Sequence, residues 1–226
     1  MTPGVRVDPP DLPDDLEPKA TLDAFGLDCA VLGPVDAAGI RFVALAIDAS
    51  RLDGTDLSGA KLPNLSVRDS ELERCNLANA DLRGAAWRRS RVRGASLRRS
   101  RVRGARLTGL NLAEAVAEDL ELTDCRADLA AFAGARLERV RFSSTVLGQA
   151  DFQGARLKTV VFEDCDLREA DFTGARFDGV ELRGCRLDGL RGAQGLKGVQ
   201  MPWSDVLDAA GLFASACGVK VLADGE

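Results

Sequence analysis

The chain contains no histidine and no tyrosine, and aromatic residues make up only 5% of it. Histidine is the commonest general base and metal ligand in proteins, and the sequence also lacks a phosphate-binding loop, a serine-nucleophile elbow and a zinc-protease motif. We therefore expect no catalytic, cofactor-binding or metal-ligating residues, and no enzyme. Because large side chains are scarce while glycine reaches 23 residues, the interior is predicted to be narrow.

Long apolar runs are absent as well. No stretch of 18 apolar residues occurs, and residues 1–19 are acidic and proline-rich where a signal peptide would be basic and then apolar. Six cysteines without a C-x-x-C pair fit neither the disulfide framework of a secreted protein nor a zinc site. The sequence predicts a soluble, cytoplasmic protein with no membrane partner.

Large apolar residues recur at every fifth position from 42 to 187. Of these 30 positions, 28 are large and apolar, and the exceptions are Ala117 and Ala127. A small residue stands two positions before most of them, as Ala80, Ala150 and Cys165 do. Neither a helix nor a strand repeats every five residues, so the period needs another explanation.

A chain that turns a corner once in every pentad accounts for this period. Every fifth side chain then points inward, and four pentads close one square coil of twenty residues. Coils stacked at the inter-strand spacing of about 4.8 Å would make a rod of about 7.5 coils and about 36 Å. Each coil can bury its apolar residues only against its neighbours, as in other solenoids.

Several pentads share one motif, which the following three show most clearly: Ala80-Asp81-Leu82-Arg83-Gly84, Ala150-Asp151-Phe152-Gln153-Gly154 and Ala170-Asp171-Phe172-Thr173-Gly174. With this motif, A(D/N)LXX, the chain resembles the pentapeptide-repeat family from about 40 to 190. The resemblance implies an all-β solenoid, a right-handed quadrilateral β-helix. The family includes topoisomerase-protecting proteins of the quinolone-resistance type, the MfpA and Qnr proteins, beside many members of unknown role.

The two ends of the chain differ from the repeats. We expect four segments: a disordered acidic and proline-rich tail (1–19), an imperfect N-terminal coil or cap (20–41), the pentapeptide-repeat β-helix (42–190), and a C-terminal helical cap and tail (191–226). Helical spacing predicts a helix over 204–217 with Ser204 as its N-cap, and 219–222 could add a short strand. The helix is expected to cover the apolar end of the rod. The resemblance to MfpA adds the alternative that it pairs two chains, so we expect a monomer or a C-terminal dimer.

The cysteines and one irregular coil complete the predicted core. Four cysteines occupy the small inward position and are interpreted as core filling: Cys75, Cys125, Cys165 and Cys185. Stacking would allow a disulfide between Cys165 and Cys185, but a reducing cytoplasm argues against one. The coil 110–127 carries two large residues on one pair of opposite faces and two small ones on the other, which predicts a locally distorted cross-section or a bend.

Charge is concentrated in the stretch 83–106, which has ten arginines and no acid. Stacking at twenty-residue spacing places many of these arginines above or below an acidic residue. Three columns of alternating charge are predicted: Lys61, Asp81, Arg101, Glu121 and Arg141; Arg51, Glu71 and Arg91; Arg99, Asp119 and Arg139. It also pairs Arg89 with Asp69, Arg93 with Glu73 and Arg98 with Glu118. What is left is a mid-rod arginine patch of like-charged stacks: Arg68, Arg83, Arg88, Arg103, Arg106 and Arg126. Like charges placed opposite each other are destabilising, so we predict that this patch binds a partner.

Two functions follow from these surfaces. An acidic cluster further along the same faces is most like the strip by which topoisomerase-protecting relatives mimic DNA: Glu163, Asp164, Asp166 and Glu169. The resemblance thus implies a non-enzymatic, DNA-mimicking protein that binds a type II topoisomerase such as DNA gyrase and shields it from poisons, a form of antibiotic resistance. The alternative is a scaffold or adaptor that holds an acidic protein or nucleic acid through the mid-rod arginine patch. Direct nucleic-acid binding is the less favoured partner.

Overall fold

A computed structural model describes residues 21–22, 25–28, 31–32, 34, 36, 38–39, 41–42, 45–88 and 90–220. The predicted tail 1–19 and residues 221–226 lie outside the described residues. Strands dominate the first part of the chain as β1 Thr21–Leu22, β2 Phe25–Asp28, β3 Val31–Leu32, β4 Arg41–Phe42, β5 Leu45–Asp48, β6 Arg51–Asp53, β7 Ser66–Arg68, β8 Glu71–Glu73 and β9 Ala86–Arg88. They continue as β10 Ser96–Arg98, β11 Arg101–Arg103, β12 Val116–Glu118, β13 Glu121–Thr123, β14 Arg136–Ser143, β15 Arg156–Glu163, β16 Arg176–Asp178 and β17 Glu181–Arg183.

Every strand pairs in parallel with the strand twenty residues away. Thr21 lies opposite Arg41 in the first coil and Phe162 opposite Leu182 in the last. Isolated bridges keep the same offset between the strands, for example Lys61 with Asp81, except at the end of the rod, where Glu181 pairs with Gln200. The five-residue period therefore builds coils of twenty residues, and the predicted quadrilateral β-helix is confirmed. The strands β1, β2 and β3 join it in register under β4, β5 and β6.

Four faces run along the rod, and we number them by their inward residues. Face 1 carries position 62 and every twentieth residue from it, and faces 2, 3 and 4 carry positions 67, 72 and 77 with their equivalents. Up to Arg88 the regular strands beyond β1 and β4 lie on faces 2 and 3. From Ser96 onward they lie on faces 4 and 1, where β14 and β15 run around the edge between them. Strands and tight turns thus exchange faces at about residue 90.

The residue before each inward position explains where the tight turns fall. Eight of these residues are Asp or Asn whose side-chain oxygen accepts the backbone N–H two residues later, at 2.8–3.3 Å, closing an Asx turn: Asp36, Asp56, Asn76, Asp81, Asn111, Asp151, Asp166 and Asp171. All eight lie at tight turns and none in a named strand. Asp or Asn at this position therefore marks a tight turn, while other turns, such as those at Lys61 and Arg91, form without one.

Corner residues with a hydroxyl or thiol group form hydrogen bonds between successive coils on the faces that carry strands. On face 1 each of these side chains donates to the carbonyl of an inward residue one coil below, at 3.4–3.5 Å: Cys125 to Val102, Thr145 to Leu122, Cys165 to Phe142 and Cys185 to Phe162. Ser70 and Cys75 make the same contact to Ile47 and Leu52. The cysteines fill the core, as predicted, and they also satisfy buried backbone oxygens.

The core changes composition along the rod. After residue 130 phenylalanines form two columns on faces 1 and 3, stacked at 4.7–4.8 Å within a column and edge-on at 5.9–6.4 Å between columns. Before it, aliphatic residues and Trp87 fill the same space and leave an apolar cavity of about 30 Å³ lined by Val92, Val102, Leu112 and Leu122 among others. In the irregular coil 110–127, Ala117 and Ala127 are buried and keep the common register.

The C-terminal end is covered by short helices: η1 Ala193–Gly195, α1 Trp203–Asp208 and α2 Ala210–Ala216. Leu212, Phe213 and Ala216 of α2 pack against the core, and the Asp205 carboxylate accepts the Gly184 N–H at 2.6 Å. The single helix predicted over 204–217 is wrong, because Ala209 interrupts it. Ser204 is not its N-cap: Pro202 stands there, and the Ser204 hydroxyl bonds Asp205 instead. Val219 and Lys220 form no strand.

Candidate partner-binding surfaces

Outward side chains form columns along the rod, because each lies directly above the residue twenty positions earlier. The alternating column from Lys61 to Arg141 is confirmed in register, with Arg101 3.7 Å from Glu121. In the other predicted columns Arg91 bonds Glu71 at 2.7 Å and Arg139 bonds Asp119 at 2.6 Å. These exposed pairs each contribute about 0–1 kcal/mol and leave few charges free for a partner.

Three smaller pairings were predicted for the same region. Arg98 lies 3.4 Å from Glu118, as expected. Arg93 instead bonds Glu114 at 2.6 Å, and this hydrogen bond raises the pKa of Arg93. Its predicted neighbour Glu73 contributes only a weaker charge attraction, which also raises the pKa of Arg93. The diagonal neighbour in the next coil is as close to a long side chain as the residue directly below. The predicted partner of Asp69, Arg89, lies outside the described residues.

The mid-rod arginine patch is less free than the sequence suggests. Arg83 forms a bidentate pair with Asp81, with nitrogen–oxygen distances of 2.7–3.0 Å. The two side chains stand on the same side of one short segment, where alternate residues face the same way. Arg83 lowers the pKa of the Asp81 carboxyl below its ordinary value through this hydrogen bond. The prediction that Arg83 is unpaired is therefore wrong.

Two more members of the patch also have carboxylates nearby. Arg103 lies 3.6 Å from Asp124 and Arg126 lies 3.9 Å from Asp128. Among the described residues, Arg68 and Arg106 have no carboxylate partner, and the side chain of Arg88 lies outside the description. The backbone does stack Arg68 on Arg88 and Arg106 on Arg126. Within the described side chains, the arginines of the patch without a carboxylate partner are therefore Arg68 and Arg106, both on face 2.

Two of the four carboxylates in the acidic cluster at the edge of faces 1 and 2 are paired with arginine. Glu163 bonds Arg141 at 2.8 Å, Glu169 accepts from Gln149 at 2.7 Å, and Asp166 is held by Arg168 at 2.6 Å. The hydrogen bond from Arg168 lowers the pKa of Asp166. Asp164 alone has no partner in the described part of the chain. The rod as a whole carries no net charge, because residues 21–220 contain 28 basic and 28 acidic side chains.

Sequence analysis missed a second arginine column. Arg136, Arg156 and Arg176 stack directly on one another on face 4, and all three are exposed. None of them forms an ion pair or a side-chain hydrogen bond within the described residues. The signal was present: the triplet Gly-Ala-Arg begins at 134, 154 and 174, one coil apart. We call these three residues the arginine ladder.

Two of the interior thiols are held in their protonated form. Burial raises the pKa of the Cys75 thiol to about 11, and burial likewise raises the pKa of Cys125. Thiols held protonated in this way are poor nucleophiles. The described cysteines are all free, including Cys165 and Cys185. Within the described residues no group of three potential ligands could hold a metal ion, and no helix there is long and apolar enough to cross a membrane.

The helical cap exposes two large apolar side chains, Trp203 at 73% and Leu207 at 57% of their surface. Both lie on α1, while α2 packs on the core. The structure therefore supports a covering role for α2. The pairing of two chains stays a prediction.

Comparisons with known proteins agree with this architecture. The family model "Pentapeptide repeat region" matches residues 95–172, and "Pentapeptide repeats (8 copies)" matches residues 50–86, which together make up half of the chain. No curated protein sequence matches the chain.

Among solved structures, a trypsin-treated variant of QnrB1, a plasmid-mediated fluoroquinolone resistance protein, matches with a TM-score of 0.53 and 19% identity over 88% of this chain and 99% of its own. HetL, a pentapeptide repeat protein involved in heterocyst differentiation regulation in the cyanobacterium Nostoc sp. strain PCC 7120, matches with a TM-score of 0.39 and 23% identity over 82% and 91%. With its in-register coils, its Asx turns and both family models, the chain belongs to the pentapeptide-repeat family.

Proposed function

We propose that this protein is a non-enzymatic interaction protein that holds a macromolecular partner along the outer faces of its rod. One observation carries the proposal: the interior is closed by apolar side chains, and nearly all polar chemistry points outward in rigid columns fixed by backbone pairing. A surface ordered in this way is suited to an extended partner, because its charges are held in place before binding. The chain shares this architecture with repeat proteins that use their faces for binding.

As its partner we propose a type II topoisomerase such as DNA gyrase. The family resemblance supports this choice, since topoisomerase-protecting members belong to it. The rod length of about 36 Å also corresponds to about one helical turn of B-DNA, the form that such a protein would imitate. On this proposal Glu163, Asp164, Asp166 and Glu169 contact the enzyme, and Asp164 contributes the one carboxylate without an internal partner.

The test is a supercoiling assay with and without a fluoroquinolone. We expect the protein to restore supercoiling in the presence of the drug, and the double variant Asp164→Asn/Glu169→Gln to do so less well. A matched control, Glu71→Gln/Glu138→Gln, removes the same charge from faces 3 and 4 and should behave like the unchanged protein. Equal loss in both variants, or no protection at any concentration, would contradict the proposal.

A second candidate, the scaffold or adaptor, is favoured by the neutrality of the rod and by the free guanidinium groups of Arg68 and Arg106. On this alternative an acidic protein or nucleic acid binds face 2. The double variant Arg68→Gln/Arg106→Gln should then weaken binding of an anionic partner and flatten its salt dependence, while protection of gyrase stays absent. Unchanged binding by this variant would exclude the adaptor.

A further inference from the structure

The arginine ladder is the longest run of unpaired like charge that the described residues show. Parallel pairing sets Arg136 opposite Arg156 and Arg156 opposite Arg176, one strand spacing of about 4.8 Å apart. The three guanidinium groups therefore lie in a line of about 10 Å, parallel to the rod. The column from Asp81 to Arg141, by contrast, alternates in sign.

This arrangement costs stability in the folded protein. Like charges on directly paired residues repel each other, and no acid within the described residues answers any of the three. Two acids share strands with the ladder. Glu138, two residues after Arg136, is already bonded to Lys158 at 3.0 Å and to Arg139 at 2.7 Å. Asp178, two residues after Arg176 on β16, forms no ion pair within the described residues. Water and salt screen part of this repulsion, and an anion from outside the protein that binds across the ladder relieves it further.

The corner beside the ladder is formed by glycines, so no side chain projects from it. Gly134, Gly154 and Gly174 stand at the corner between faces 3 and 4, with φ of 63–70°. This conformation favours glycine, but Arg139 and Thr159 adopt similar angles at the next corner, so it does not by itself require three glycines in a row. A Cβ added at Gly154 would meet nothing within 4 Å. The column therefore leaves open space in which a bulky backbone could approach the arginines.

We propose that the arginine ladder binds the phosphate backbone of double-stranded nucleic acid without reading its sequence. The planar guanidinium fork matches phosphate oxygens in pairs. One strand of a duplex presents a phosphate about every 3.4 Å along the axis, so a duplex lying along the rod offers about three phosphates to a ladder of about 10 Å. This surface is separate from the acidic cluster and does not depend on the function proposed above.

A protein partner fits the ladder less well. Protein interfaces are built around apolar and aromatic side chains. The outward neighbours on the ladder's own strands are instead the charged Glu138, Lys158 and Asp178, and those across the glycine corner are Ala133, Gln153 and Thr173. Large exposed apolar residues lie elsewhere, at Leu129, Trp203, Leu207 and Val219. Without aromatic side chains the ladder also lacks a platform on which single-stranded bases could stack. The ladder therefore offers mainly electrostatic contacts, which suit the phosphate backbone of a duplex.

The test is the binding of a fluorescein-labelled 20-base-pair DNA duplex, followed by anisotropy between 25 and 150 mM salt. The triple variant Arg136→Gln/Arg156→Gln/Arg176→Gln should bind at least tenfold more weakly at 50 mM, and its plot of log K against log salt should be shallower by about 2 to 3. The control Arg91→Gln/Arg98→Gln/Arg183→Gln removes the same charge from arginines that are paired with glutamates. It should keep the slope of the unchanged protein.

Three results would overturn the proposal. The first is equal weakening by the ladder and control variants, which would mean that only net charge matters. The second is the absence of duplex binding by the unchanged protein at 25 mM salt. The third is competition by poly-glutamate as strong as that by unlabelled duplex, which would assign the ladder to an acidic protein. Thermal melting of each variant checks the fold, and the ladder variant should melt no lower than the unchanged protein because it loses a repulsive stack.

Discussion

The coils before Arg88 and the coils after Ser96 share one register but differ in their faces and their cores. The first half places its strands on faces 2 and 3 and packs aliphatic residues; the second places them on faces 4 and 1 and packs two columns of phenylalanine. Backbone pairing thus fixes how the coils stack, while the residues at the corners decide which faces are straight and which are turned. The two properties are independent, and four predictions test the difference between the halves.

The largest expected effect concerns the phenylalanine columns. Phe152 stacks on Phe132 and Phe172 at 4.8 and 4.7 Å and meets two more rings edge-on. Phe152→Asp should abolish folding, because a lone carboxylate would lie in a dry interior. Phe152→Ala should lower the free energy of unfolding by about 3–5 kcal/mol, and more than Leu72→Ala in the first half. Denaturant titration measures both, and an equal loss would show that the aromatic half is no better packed.

Removal of the helical cap should be the next largest effect. Deleting 204–226 uncovers apolar residues of the last coil against which Leu212 and Phe213 pack, so the truncated protein should aggregate. Light scattering and size-exclusion chromatography measure this. Unchanged solubility would mean that the cap is not needed. If the full chain is a dimer and the truncated one a soluble monomer, α1 pairs two chains.

Acid should destabilise both halves together. Asp81 in the first half and Asp166 in the second each have a pKa lowered by an arginine two residues later. A depressed pKa contributes stability above the unfolded value near 3.9, and this contribution is lost as pH falls through the lower, folded value. Melting temperature should therefore be flat from pH 8 to 5 and fall below about pH 4. Asp81→Asn should reduce the fall without removing it, since Asp166 still titrates.

The smallest expected effect is a gain. Val102 lines the cavity of about 30 Å³ between the halves, so Val102→Ile should raise the free energy of unfolding by about 0.8 kcal/mol, the value of one buried methylene. The control Val67→Ile adds the same group at a fully buried site that does not line the cavity and should cost about 1–3 kcal/mol. Destabilisation by both would mean that the cavity cannot accept a methylene.

Much of this architecture was readable from the sequence, because the five-residue period marks the inward positions and the family resemblance implies a four-sided β-helix. The column containing Asp81, Arg101 and Glu121 follows from that register alone. The exchange of faces was also encoded, since Asp56 and Asn76 mark turns on face 4 and Asn111 and Asp151 mark turns on face 3. It is found only when the D/N position is followed face by face.

Ion pairing was harder to predict than register. A long side chain such as Arg83 reaches the residue two before it as easily as the residue twenty before it, and pairing with Asp81 is the outcome. Arg93 similarly reaches diagonally to Glu114. The broken helix at Ala209 reflects tertiary packing, because α2 turns to lay Phe213 against the last coil. The five-residue period does not determine which of several nearby acids an arginine pairs with, or where the C-terminal helix is interrupted.

Because the coils repeat every twenty residues, the length of a deletion determines both the distance and the angle between surfaces on the rod. Deleting one whole coil would bring distant surfaces about 4.8 Å closer while keeping every column aligned. Deleting a single pentad would instead rotate everything after it by a quarter turn, so that the arginine ladder would come to lie above a different face of the first half. Length and angular position can therefore be varied separately in this protein, by choosing twenty residues or five.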